Sequence, residues 1–322
     1  LAEEKLQLLI PKLFAWHRWF HEVRDPDATG LVTTYHPWET GRDNSHDWHT
    51  LLKDIPLDGL EPYERRDTQH IDAEQRPGKD EYDAFMALVH LFRRHNYDDS
   101  FIRKSSPFKV EDTTINFMLA RADRDLLHLM QTTAPDKFTE EIALLQKWIA
   151  TSKQGLPKLW NEEEKIYQPV NLLTGRHVGG KSSGAFLSFL AGLDQKDHTY
   201  NMLATLDQWH EVGLLVPSFD PAHPDYEPLR YWMGPVWAIV DFLIYEGLQH
   251  EGHIETAEKI AVDTLVAMRV GGLSEYYHPQ SCEGLGGKSF SWTGSMWLYW
   301  LAPLAEALED KVTARLAQFR QP

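Results

Sequence analysis

The 322-residue sequence predicts an all-α fold, an (α/α) barrel, on three observations. Segments with apolar residues at helical spacing dominate the chain. Convincing alternating strand patterns are few. Long loops rich in Gly, Pro, aromatic and charged residues recur after roughly every second helical segment, at 25–48, 155–180, 216–234 and 271–290. Helix, short turn, helix, long decorated loop is the rhythm of such a barrel, in which one rim carries the site.

The helical segments follow in order. Residues 4–23 are apolar-periodic and aromatic-rich. A short helix is expected after Asn44, with Asn44 or Ser45 as its N-cap. Residues 80–96 place Tyr82, Phe85, Met86, Val89 and Phe92 on one face, and residues 112–130 do the same with Ile115, Leu119, Ala122, Leu126 and Leu129. Residues 139–150, 182–191, 199–212, 235–248, 254–268 and 291–308 read likewise. This falls short of the about twelve helices of a complete barrel. The expectation is one catalytic domain over residues 1–322, an (α/α) barrel whose first helices lie outside this sequence.

Composition narrows the function classes. A hydrophobic fraction of 42% and an aromatic fraction of 12% belong to a folded chain. The net charge of -16 argues against nucleic acid and anionic membranes as partners. The one cysteine, Cys282, asks for no oxidising compartment. No apolar run reaches membrane-spanning length, and residues 1–10 lack the basic-then-apolar order of a secretion signal. Twelve tryptophans serve core filling or sugar stacking.

Residues 38–48 pack three carboxylates (Glu39, Asp43, Asp47), Arg42 and two indoles (Trp38, Trp48) into one short stretch. Exposed indoles and buried unpaired charges are both unfavourable, so a segment with both reads as the wall of a polar pocket. Several other chemistries do not fit. Asp25, Asp27 and Thr29 before Gly30 imitate half an EF-hand loop, but His36 stands where its closing glutamate belongs, and an ordinary acidic turn is the better reading. His46 and His49 lack a zinc-site pattern. Gly284, Gly286 and Gly287 follow no strand pattern and make no phosphate loop, and a Gly-x-Ser-x-Gly elbow is absent. No metal and no cofactor is expected.

Paired carboxylates remain. Asp43 and Glu275 lie near opposite ends of the chain, each between aromatics on a long loop. Barrel closure would bring those loops to one rim, and two carboxylates on either side of a sugar make a glycosidase. Taken singly, each fits a helix cap or a solvated loop as well.

At these residues the sequence resembles family 63 glycoside hydrolases, most of all the bacterial mannosylglycerate and glucosylglycerate hydrolases. The likeness is carried by Trp-Glu-Thr-Gly-Arg-Asp-Asn-Ser (38–45), by the run from Tyr231 to Trp237, and by Glu275-Tyr-Tyr-His-Pro followed by Phe290-Ser-Trp-Thr. It spans the chain from Trp16 to about Trp300. The resemblance implies an (α/α)6 barrel and an inverting mechanism, with Asp43 as general acid and Glu275 as general base. It also implies that Gly41, Tyr231 and Trp232 line the sugar pocket, with Trp38 and Trp292 beside them, and that Arg76 pairs with a glycerate carboxylate. Met233 departs from the pattern, since relatives usually carry arginine there. Relatives also carry a hundred or more residues ahead of this chain's first helix.

The expected activity is inverting hydrolysis of a small glycosylated acid such as glucosylglycerate or mannosylglycerate. An α-glucosidase of the same family acting on neutral oligosaccharides, a non-catalytic sugar-binding barrel and a helical scaffold are the alternatives. The partner is a small carbohydrate; self-association stays open, and the compartment expected is the cytoplasm. An inverting pair stands roughly 6.5–9.5 Å apart. Asp43 must hold its proton near neutral pH, through the setting of Trp38 and Trp48 and the nearby Glu39.

Overall fold

The computed structural model describes residues 2–193 and 195–319. Helices carry the fold: α1 (Ala2–Trp19), α2 (His49–Leu52), α3 (Lys79–Arg94), α4 (Asp99–Ser105), α5 (Thr113–Thr133), α6 (Thr139–Gly155), α7 (Ser183–Phe186), α8 (Ser188–Ala191), α9 (Lys196–Val212), α10 (Ala238–His250), α11 (Ile254–Gly271), α12 (Ser291–Met296) and α13 (Ala305–Phe319). Short antiparallel strands decorate them. β1 (Val110–Glu111), β4 (Val170–Asn171) and β5 (Arg176–His177) form one sheet, β2 (Trp160–Asn161) pairs with β3 (Ile166–Tyr167), and β6 (Ser274–Tyr277) pairs with β7 (Gly284–Lys288).

Neighbouring helices pack in succession. α5 lies against α1, α6 and α8; α10 lies against α8, α11 and α12; α11 lies against α13. This is the (α/α)6-barrel architecture, and its main core collects Phe186, Trp209, Trp237, Ile244, Ile260 and Val266. α11 is buried from Ile260 through Met268, which is why its sequence is apolar nearly all round. Each such fully buried aliphatic or aromatic side chain contributes about 1.5–3 kcal/mol. A second cluster forms around Trp48, Phe85, Leu88 and Phe108 and backs the 38–48 stretch.

Caps set the helix starts. Asp112 accepts the Ile115 N–H at 2.8 Å and opens α5, and Glu81 reaches back to the Gly78 N–H at 2.6 Å and opens α3. Most helices fall where the apolar period placed them. Two expected helices are broken. The 182–191 segment divides at Leu187 into α7 and α8; within α7, Gly184 leaves the room that the Arg42 guanidinium fills. The 291–308 segment passes from α12 through a π-turn, Trp297–Leu301, and restarts as α13 beyond Pro303, which cannot continue a helix. α4, with its Asp98 cap, and the two-residue strands carry too little pattern to be seen in advance.

Isolated bridges Ser182–Phe219, Pro217–Val236 and Val236–Tyr277 tie the decorated loops to one another. No helix among the described residues is long and apolar enough to cross a membrane.

Candidate active site

The first wall is the 37–48 stretch. The His36 ring accepts the Trp38 N–H at 3.0 Å and starts a 3-10 turn, Pro37–Thr40. That turn ends at Gly41 in the left-handed region (φ 72°), and nothing lies within 4 Å of the place a Cβ would take. Ser45 caps the next turn, His46–Trp48, which runs into α2. Between the two turns stand Arg42, Asp43 and Asn44.

Arg42 anchors the stretch. Its guanidinium, 2% exposed, meets Asp47 at 2.7 Å and Asp112 at 3.0 Å. It also donates to Ser182 Oγ at 3.2 Å. Burial works against its charge, but Asp47 and Asp112 more than offset this, so Arg42 binds its proton more firmly than an ordinary arginine. Because Asp112 also caps α5, the backbone beside Asp43 is tied to the start of a 21-residue helix. Trp48 donates its indole N–H to the Asp43 carbonyl at 2.8 Å.

The second wall is the β6–β7 hairpin. Ser274 pairs with Lys288 and Tyr276 with Leu285, and the register shifts between them. The irregularity aims Glu275, 7% exposed, inward. Gly286 sits opposite in the left-handed region (φ 68°), and a Cβ there would come within 2.6 Å of Glu275 Oε2. Glycine is required on both counts. The Gly287 N–H donates to Glu275 Oε2 at 2.9 Å. Gln75 braces the hairpin from the other side: its side-chain oxygen accepts the Gly286 N–H at 2.8 Å, and its carbonyl accepts the Tyr276 hydroxyl at 2.6 Å.

Arg76, next to Gln75, joins the two walls. Its Nη1 donates to Glu275 Oε1 at 3.1 Å and its Nη2 to Oε2 at 2.7 Å. Its guanidinium lies 4.8 Å from the Tyr231 ring centroid. The third wall is the Tyr231–Trp232 run. Tyr231 sits at φ 35°, an uncommon setting for a residue with a Cβ and a mark of local strain. Trp232 stacks on Trp237 with centroids 4.0 Å apart. Asn44 Oδ1 accepts the Trp232 N–H at 3.1 Å, which links the first wall to the third.

The electrostatics of Asp43 follow from its burial. Burial pushes Asp43 up from 3.8 to about 7; Arg76 opposes this, and Asp67 and Glu275 add to it. Glu39 pairs with Arg24 at 3.2 Å. Asp47 is likewise spent on Arg42.

The structure therefore brings Asp43, Glu275, Arg76, Tyr231 and Trp232 together. Trp38 adjoins them through Tyr82, whose ring it meets edge-on at 6.0 Å and whose hydroxyl senses the Asp43 charge. Trp292 is half exposed at the start of α12 against Phe290, and no hydrogen bond or ring contact among the described residues ties it to the pair. Sequence reasoning gave Gln75, Asp67, Tyr82 and Gly287 no role in this site. Their one signal was closeness to Arg76 and to the 284–287 glycines.

Of the metal readings, the Asp25 turn is closed by protein groups: its carboxylate accepts from Thr29 N, Thr29 Oγ1 and Gly30 N at 2.8–2.9 Å. His46, His223 and Asp225 offer ligand atoms within 4.8 Å of one another. These groups already bond among themselves, His46 to Asp225 at 3.3 Å and the Asp225 N–H to His223 at 3.1 Å.

The family described as the mannosylglycerate hydrolase MGH1-like glycoside hydrolase domain matches residues 2–293. A mannosylglycerate hydrolase of Thermus thermophilus is 39% identical over 300 residues, covering 93% of this chain and 71% of its own length. Mannosylglycerate hydrolase MGH1 of Selaginella moellendorffii is 41% identical over 302 residues, covering 94% of this chain and 61% of its own. A crystal structure of a family 63 mannosylglycerate hydrolase from Thermus thermophilus, in complex with Tris and D-glycerate, superposes with a TM-score of 0.89 at 40% identity, covering 93% of this chain and 71% of that one. The chain belongs to the mannosylglycerate hydrolase MGH1-like glycoside hydrolases.

Proposed function

We propose that this chain hydrolyses the α-glycosidic bond of a small glycosylated acid, mannosylglycerate or glucosylglycerate, with inversion at the anomeric carbon. One observation carries the reading: Asp43, a buried carboxyl pushed up to about 7, stands within electrostatic reach of Glu275, whose oxygens accept from Arg76 and the Gly287 N–H. Family membership and the glycerate complex of the Thermus relative supply the substrate class.

Asp43 gives its proton to the glycosidic oxygen as the bond to the anomeric carbon breaks. Glu275 takes a proton from water, whose oxygen forms the new bond from the opposite face. The sugar and the acid leave as neutral alcohols at the cleaved positions. Asp43 regains its proton from solvent and Glu275 loses one to it.

The remaining roles follow from place. Gly41 lets backbone approach the ring, since nothing lies within 4 Å of its Cβ position. Trp232 has a buried indole N–H with no partner among the described residues, suited to a sugar hydroxyl. Tyr231 walls the reacting centre, and Trp38 and Trp292 serve as outer stacking faces. Arg76 serves the acid.

The test is turnover of mannosylglycerate and glucosylglycerate by the wild type, Asp43→Asn and Glu275→Gln. Each variant is expected to lose at least about 10³-fold in kcat while keeping the wild-type circular dichroism. Near-wild-type turnover by either variant contradicts its assigned role.

A further inference from the structure

Three of the roughly four acceptor positions on the Glu275 carboxylate are already filled: two by Arg76 Nη1 and Nη2, at 3.1 and 2.7 Å, and one by the Gly287 N–H at 2.9 Å. A general base needs a lone pair aimed at its water. The fork takes the lone pairs on the side that faces Arg76 and sets a cation against both oxygens.

Arg76 is not fully used by this contact. Its residue is 8% exposed, yet Nε has no hydrogen-bond partner among the described residues. A guanidinium presents two donor edges to anions, one through both Nη atoms and one through Nε and an Nη. Glu275 fills the first. The second holds a buried donor with no acceptor among the described residues, an arrangement that favours an incoming anion. The Tyr231 ring, 4.8 Å from the guanidinium, covers a face of it and leaves the edges free for anions.

We propose that Arg76 is an anion-operated latch on the catalytic base. A substrate carboxylate docks on the Nε edge, draws the guanidinium off Glu275, and thereby frees an oxygen of Glu275 to take the proton of the attacking water. This rests on the glycosidase reading above and extends it: the acid group of the substrate contributes to kcat as well as to binding. Neutral glycosides leave the latch closed.

α-Mannosyl and α-glucosyl fluoride test this, because a leaving group of one atom leaves the acid's place open to an added anion. Water adds at the anomeric carbon, Glu275 takes its proton, and fluoride departs with the proton of Asp43. With the wild-type protein, D-glycerate is expected to raise kcat on the responsive fluoride saturably, by at least about threefold. Glycerol, its neutral analogue in shape, is expected to give no rise. Arg76→Ala is expected to abolish the glycerate response. No rise with glycerate, inhibition alone, or a response retained in Arg76→Ala overturns the latch.

Mannosylglycerate and glucosylglycerate run in parallel separate the two levels. Turnover of either without fluoride stimulation overturns the latch and leaves the glycosidase reading standing. Turnover of none of these substrates overturns both. A neutral glycosylglycerol should lose in kcat relative to the acid; loss confined to KM counts against the latch.

Discussion

Asn44 Oδ1 accepts the backbone N–H of Trp232 at 3.1 Å, across 188 residues of sequence. This bond couples the wall that carries Asp43 to the strained Tyr231–Trp232 run. Asn44 is fully buried, so removing the acceptor strands the Trp232 N–H. Asn44→Ala is expected to cost about 1–3 kcal/mol of stability. It should also lower kcat/KM by at least about tenfold, because a small misplacement of either wall is felt at the reacting centre. Thermal melts and steady-state kinetics on mannosylglycerate check both.

The Asp43 carboxyl sets an alkaline limb. Its ordinary value is 3.8 and its value in the fold is about 7. As the proposed proton donor Asp43 is competent below 7, and kcat/KM should fall about tenfold per pH unit above it. The same shift affects stability. The raised value makes a contribution that is complete below 3.8 and is lost as the pH rises through 7. Asp43→Asn has no such loss. It should be inactive yet gain on the order of 2–4 kcal/mol over the wild type between pH 5 and pH 8. Melts of both proteins at the two pH values read this difference; parallel melts would show that Asp43 is not the buried acid.

Arg42 neutralises two fully buried carboxylates, Asp47 and Asp112. Arg42→Ala leaves both without their cation and is expected to destabilise the protein by about 3–5 kcal/mol. The loss should appear as a lower denaturant midpoint even with substrate absent, which distinguishes it from a purely catalytic defect.

Gly286→Ala strikes the proposed base, Glu275, directly. The new methyl would come within 2.6 Å of Glu275 Oε2, at a backbone φ of 68° that alanine rarely adopts. kcat is expected to fall by about 10²-fold, with a stability cost on the order of 1–2 kcal/mol from the left-handed conformation. Activity within a few-fold of wild type would show that Glu275 is not held at that spot.

What could be read from sequence tracks how local the cause is. α3, α5, α9, α10 and α11 were legible because each buries a stripe or a whole surface of apolar residues at helical spacing. The β6–β7 hairpin was not, since Ser274–Tyr277 is buried throughout and shows no alternation, and Gly284–Lys288 has almost no side chains to alternate. Asp43 and Glu275 stood out by their aromatic settings and by resemblance. The Arg76–Glu275 fork, across 199 residues, and the Arg42–Asp112 pair, across 70, did not. Barrel closure sets those meetings, and no spacing in the chain encodes them. The Arg24–Glu39 pair, across 15 residues, is likewise set by the fold.

The central claim is that Asp43 and Glu275 act from opposite faces of the sugar through a water held by Glu275. The most direct measurement is proton NMR of the first anomer released from α-mannosylglycerate, or from its glucosyl counterpart, before mutarotation. The account predicts the β-anomer first, with the α-anomer rising later as the sugar equilibrates. An α-anomer formed first would contradict it, because retention requires a covalent glycosyl-enzyme in place of the water.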